Sequence, residues 1–177
     1  MRFKKYFVNA VAFVFLFSCP VFSENVPKEA KDYNHLGLEY DNKGNQDQAI
    51  EMFEKAVNIN PNYAQAYQNM GLAYNKKGNH DKAIELYEKA ISINPKSAMA
   101  YCYMAVAYND KGSYDTAVKM FEKALSIKPE YTEAYRNMAV SFGRKGDQAK
   151  EISCLKKAAK LGDTQSQQFL KIYNISW

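Results

Sequence analysis

Apolar and small residues return on a helical period, twice within every 34 positions of most of the chain. In residues 64–97, Tyr67, Met70, Gly71 and Tyr74 fall at i, i+3, i+4 and i+7, which is one face of a helix. Ala83, Tyr87 and Ala90 follow at i, i+4 and i+7, with Ile84, Ile91 and Ile93 widening the stripe. Each stretch therefore predicts two amphipathic helices. The same pattern returns over residues 30–63, 98–131 and 132–165. Tyr33, Tyr67, Tyr101 and Tyr135 keep the 34-residue step, and so do Ala49, Ala83 and Ala117. A fixed period of this length marks a stacked repeat, in which each unit buries its apolar face against the next.

The punctuation repeats with the same step. Gly44-Asn45, Gly78-Asn79, Gly112-Ser113 and Gly146-Asp147 separate the two helices of each unit. Glycine admits the left-handed backbone that ends a helix, and the residue after it is a suitable N-cap. Lys43, Lys77, Lys111 and Lys145 stand at the negative end of the first helix, while Asp47, Asp81 and Asp115 open the second. Pro61, Pro95 and Pro129 close it, because the residue before proline leaves the helical region.

With its eight marked positions, the chain resembles the tetratricopeptide repeat, a family of 34-residue helix pairs. Tyr33, Leu36, Gly37, Tyr40, Ala49, Phe53, Ala56 and Pro61 carry the resemblance in the first unit. Tyr67, Met70, Gly71, Tyr74, Ala83, Tyr87, Ala90 and Pro95 carry it in the second. Tyr101, Met104, Ala105, Tyr108, Ala117, Phe121, Ala124 and Pro129 carry it in the third. Tyrosine takes the place of the family's tryptophan. The fourth unit keeps Tyr135, Met138, Ala139, Phe142, Leu155 and Ala158, but Glu151 replaces the alanine and Asp163 the proline. A carboxylate at 151 needs solvent or a partner, so a looser last pair is expected. The resemblance implies an all-α fold: a short right-handed α-solenoid of four tandem units, 30–63, 64–97, 98–131 and a divergent 132–165. Phe169, Leu170 and Tyr173 predict a further helix over 163–174 that covers the open end.

Before the repeats lie a basic start at Arg2, Lys4 and Lys5, an apolar run from Tyr6 to Phe17, and a more polar exit at 18–23. That is the layout of a secretory signal, and the run falls short of the ~20 apolar residues of a membrane span. A cut after Ser23 leaves a free exported chain, with residues 24–29 as a linker. Leu16-Phe17-Ser18-Cys19 also resembles a lipobox, whose cut would leave Cys19 lipidated. Both readings place the mature chain outside the cytoplasm, in the periplasm, secreted, or anchored in the envelope.

Removing residues 1–23 takes away three of the 24 basic residues and none of the 19 acidic ones, so the remainder carries a net +2. The charges alternate in sign along exposed faces, which is no nucleic-acid footprint. His35 and His80 have no companions at metal-ligand spacing and read as surface or groove residues. Cys102 and Cys154 project to different faces and read as free thiols. No nucleophile has a base at motif spacing, and the glycines sit singly at turns. The chain is read as a non-enzyme without cofactor or metal.

What remains is surface. The resemblance implies a concave groove, lined by the first helices, that binds a protein or peptide segment. Its positions here are Lys31, Asn34, Leu38 and Asp41, then Gln65, Gln68, Leu72 and Asn75. The third and fourth units add Met99, Cys102, Val106 and Asn109, then Glu133, Arg136 and Val140. Leu38, Leu72, Val106 and Val140 form an apolar strip and the amides can bond a backbone. Some family members clamp a terminal carboxylate with lysine, asparagine and arginine, and only Asn69 matches that set. The expected role is an extracytoplasmic adaptor or scaffold. The alternatives are a lipid-anchored assembly factor of an envelope machine, of the pilus or outer-membrane biogenesis type, and an accessory subunit of a secreted enzyme complex.

Overall fold

The computed structural model describes residues 26–177. The signal, the lipobox and Cys19 lie outside those residues. Among the described residues the chain is helical throughout, in nine helices. Four antiparallel pairs stack in sequence: α1 (Lys28–Asn42) with α2 (Gln46–Ile59), and α3 (Ala64–Lys76) with α4 (His80–Ile93). Then come α5 (Ala98–Asp110) with α6 (Tyr114–Ile127), and α7 (Thr132–Arg144) with α8 (Gln148–Lys160). The ninth helix, α9 (Thr164–Ile172), packs on α8. Helix α1 starts at Lys28, inside the segment read as linker, because Pro27 already holds a φ of −50° in front of it.

The turns obey the local chemistry. Gly44, Gly78, Gly112 and Gly146 have φ of +78°, +80°, +76° and +77°. After each, an N–H reaches back five residues, as from Asn79 to the Tyr74 carbonyl at 3.0 Å. Of the four expected caps, two act through their side chains: Asn79 accepts from the Lys82 N–H at 3.2 Å and Asp147 from the Lys150 N–H at 3.1 Å. Asn45 and Ser113 stand in the same place without such a bond. The second helices of the first three units end at Asn60, Asn94 and Lys128, whose ψ angles of 94°, 87° and 90° are those of a residue held by the following proline.

Each unit closes on an aromatic ring set against a small residue. Phe53, Tyr87 and Phe121 are buried beside Gly37, Gly71 and Ala105. The fourth unit solves the same problem differently. Glu151 is half-buried, and its Oε1 lies 2.9 Å from where a Cβ on Gly143 would stand. The first three units pair a small Ala49, Ala83 or Ala117 with the larger Asp41, Asn75 or Asn109 at the matching place. Here the large and small partners have exchanged helices, so the carboxylate is accommodated and the pair closes over buried Ala139, Phe142, Cys154 and Leu155. The fourth unit is also shorter: α9 begins 32 residues after α7, not 34. Leu170 is fully buried and Phe169 half-buried against α8, whereas Tyr173 stays 63% exposed and stacks on Phe169 at 4.8 Å. The end of the solenoid is only partly covered.

Three inter-unit ion pairs run along one edge: Lys77 to Asp47, Lys111 to Asp81 and Lys145 to Asp115. Each joins the end of one first helix to the start of the preceding second helix. Lys145 holds the Asp115 carboxyl below its ordinary value. The Lys150 N–H does the same for Asp147. For Asp163, burial pushes upward but is outweighed by bonds from Ser166 and Arg136, and the carboxyl again sits low. A depressed folded pKa adds stability that is complete above the ordinary value of 3.8 and is lost as pH falls through the folded value. The melting temperature is therefore expected to drop between about pH 5 and pH 2. Asp163→Asn should flatten part of that slope. A melting temperature that stays level over the window would show that these carboxylates contribute nothing.

Candidate partner groove

The first helices touch across the stack: α1 meets α3, α3 meets α5 and α5 meets α7. Among the described residues no pair of second helices packs as closely. The first helices therefore make the inner, concave side. Geometry then divides the fifteen predicted groove positions into two groups.

The first group is consumed by stacking. Asn34, 5% exposed, accepts from the Asn69 amide at 2.9 Å. Gln68, 7% exposed, donates to the Ser97 hydroxyl at 3.1 Å. Arg136 reaches Asp163 at 3.1 Å and Gln165 at 3.0 Å. Cys102, at the same repeat position, has no exposed surface, so it does not line a groove. Burial pushes its thiol up to about 12, with Glu133 adding to the effect and Tyr131 and Asn137 opposing it. Two turns further on, Asp41 is buried under Lys76 at 2.6 Å, and Asn75 donates to Asp110 at 2.8 Å. Asn75 also meets His80 Nδ1 at 2.8 Å, and Asn109 accepts from the Ser141 hydroxyl at 2.9 Å. These side chains already have partners in the neighbouring unit, and a buried polar group that lost its partner would cost stability. Asn69, the one match to the carboxylate clamp, is spent in this way.

The second group stays accessible. Leu38, Leu72 and Val106 are half-buried and Val140 is 48% exposed, one residue per unit at one repeat position. Beside them stand Lys31, Gln65, Met99 and Glu133, of which Met99 is 49% exposed. The result is an aliphatic ladder with a flanking row that changes from cation to amide to thioether to carboxylate. His35 lies midway along α1, with its Nε2 3.4 Å from Glu39. Cys102 and Cys154 are both free and buried. Among the described residues, no three His, Cys, Asp or Glu side chains gather as a metal site, and no helix is long and apolar enough to cross a membrane.

The sequence alone does not separate the two groups, because the partners of the first group stand on other elements of the stack. Positions 34, 68 and 136 carry hydrogen-bonding side chains whose partners stand 27 to 35 residues later, on the next helix of the inner row, at its N-cap, or at the N-cap of α9.

Comparison with known proteins agrees with this architecture. The family profile described as "Tetratricopeptide repeat" matches residues 64–97 and 98–131. A second, described as "TPR repeat", matches residues 37–78. No curated protein matches the chain. Among solved structures, a crystal structure of MamA superposes with a TM-score of 0.69 at 28% identity, over 80% of this chain and 82% of that one. TTC0263, a thermophilic TPR protein of Thermus thermophilus, gives a TM-score of 0.69 at 23% identity over 76% and 75%. The first TPR of Spaghetti (RPAP3), bound to the HSP90 peptide SRMEEVD, gives 0.64 at 21% identity over 67% and 94%.

Proposed function

Because this chain belongs to the tetratricopeptide repeat family, we propose that it is a non-enzymatic adaptor that holds a partner segment along its concave side. The observation that carries the reading is the ladder of Leu38, Leu72, Val106 and Val140, left open after stacking has used the neighbouring polar positions. A preformed row of aliphatic side chains at one repeat step suits an amphipathic or extended peptide with apolar residues at regular spacing. The surface brings little ordering cost of its own, so the cost of binding falls on the partner. The peptide in the RPAP3 structure, SRMEEVD, carries two glutamates and an aspartate. This groove offers Lys31 and Arg136 as its only cations, and Arg136 is already paired, so an apolar partner is favoured over an acidic one.

A photo-crosslinking residue at Leu72 or Val106 tests the reading in cells of the native host. Adducts of one defined partner are expected there and not at Glu88, on the outer helix of the same unit. Equal labelling at both places, or none at Leu72 and Val106, would overturn it. Introducing Val140→Asp, at the most exposed rung, should remove the adduct formed at Val106 while leaving the melting temperature nearly unchanged.

The same proposal places the protein outside the cytoplasm, on the basic start, apolar run and small-residue exit of residues 1–23. Intact mass decides between the two processed forms. A soluble chain beginning at Glu24 is a free adaptor, and an acylated chain beginning at Cys19 is a tethered component of an envelope assembly. A chain that keeps Met1 and stays in the cytosol would overturn export.

A further inference from the structure

The last unit differs in charge from the other three. Counting Asp and Glu against Lys and Arg, α2 carries −2, α4 −1 and α6 zero, but α8 carries +3. Two positions produce the change. Lys156 stands where the earlier units have Glu54, Glu88 and Glu122, and Lys160 where they have Asn58, Ser92 and Ser126. The acids that remain nearby are occupied: Asp147 lies 3.3 Å from Lys150, Asp163 is paired with Arg136, and Glu151 is folded against Gly143. Among the described residues, Lys156, Lys157, Lys160 and Lys171 have no carboxylate within ion-pair reach.

The same end holds most of the large hydrophobic residues exposed among the described residues. Of the seven large hydrophobic residues exposed among the described residues, four fall in positions 161–177: Leu161 at 37%, Ile172 at 75%, Tyr173 at 63% and Trp177 at 44%. They alternate with the cations along the chain, as Lys160-Leu161 and Lys171-Ile172-Tyr173. An open end needs only polar residues for solubility, and the opposite end has them: Asp32, His35 and Glu39 on α1 occupy the places of buried or half-buried Ala66, Asn69 and Ala73. The C-terminal end is built the other way.

We propose that the tip formed by α8, α9 and the residues after α9 docks on an anionic phospholipid surface. Lysines without acidic partners are attracted to such headgroups, and tyrosine and tryptophan settle at headgroup depth with their rings in the acyl boundary. Charge complementarity favours an anionic surface. The four exposed apolar side chains, spread along a turn, a helix end and a tail, suit a fluid interface better than a single partner helix. The inference does not depend on the groove or on residues 1–23.

Trp177 is the only tryptophan in the chain, so its fluorescence reports this tip and is silent about the N-terminal apolar run. The full chain is mixed with vesicles of phosphatidylglycerol and phosphatidylcholine, with and without brominated acyl chains. The expected result is a blue shift of the emission and quenching by the brominated lipid. Both should be absent on pure phosphatidylcholine and reversed by salt. Lys160→Glu with Lys171→Glu should lower partitioning by about tenfold or more, while arginine at both positions retains it and the circular dichroism of both variants is unchanged. Emission that does not respond to anionic vesicles, or responds equally to neutral ones, overturns the proposal. So does shielding of Trp177 by an acidic amphipathic peptide in place of vesicles, which would assign the tip to a protein.

Discussion

Replacing Gly71 with valine is expected to cost about 3 kcal/mol of stability. A Cβ at that position would stand 2.7 Å from Cε1 of Tyr87, and Tyr87 is only 1% exposed, so neither ring nor helix can yield cheaply. The ring fills the centre of its unit and meets Tyr103 of the next at 6.0 Å, so a displaced Tyr87 disturbs two units. Gly143 provides the contrast. Its added Cβ would meet the carboxylate of Glu151 at 2.9 Å, the far end of a flexible and half-exposed side chain. Gly143→Ala should therefore be neutral, or stabilising by up to about 1 kcal/mol through helix propensity. Thermal melts of the two variants beside the unaltered protein decide the matter. Comparable losses from both would mean that the Glu151 carboxylate is as firmly packed as the Tyr87 ring.

Phe121→Ala is expected to be the more damaging change, at about 3–5 kcal/mol. The ring is fully buried among Cys102, Ala105, Ala117, Ala124 and Ala134, and the small residues around it cannot collapse into the space it leaves. In a stacked array the loss is felt mainly in the unit and its neighbours. Native-state hydrogen exchange should thus show α5, α6 and α7 losing protection first, with α1 and α2 still protected. Uniform loss along the whole chain would show that the four units behave as one cooperative body. Either result bears on function, because Val106 and Val140, the middle and end of the aliphatic ladder, ride on α5 and α7.

The two predictions rest on features of different legibility. The ring and its small partner can be read from spacing alone: Tyr67, Met70, Gly71 and Tyr74 on one helix and Ala83 and Tyr87 on the next define facing surfaces. The exchange of Gly143 with Glu151 cannot. Each departs from the repeat and each alone looks like a defect, and only the packing of α7 on α8 shows that one compensates the other. The groove divides along the same line. Leu38, Leu72, Val106 and Val140 share a repeat position that the sequence placed on the inner side, and they remain accessible there. Asn34, Gln68 and Cys102 lie one turn earlier on the same helices, and a small change in the angle between units would turn them to the groove. That angle buries them.

The inter-unit ion pairs show the same limit. Lys77 and Asp47 each answer to the dipole of their own helix, and their thirty-residue separation becomes a contact only once the units are stacked. By itself, the sequence determined the helices, the glycine turns, the proline stops and the 34-residue step, because these follow from backbone preferences and apolar periodicity that act within a few residues. The tertiary structure alone decided which polar side chains are spent between units, which aliphatic ones stay accessible, and how the fourth unit absorbs a carboxylate. Those outcomes depend on the angle and distance between neighbouring units, and that geometry is the sum of many contacts between residues far apart in the chain.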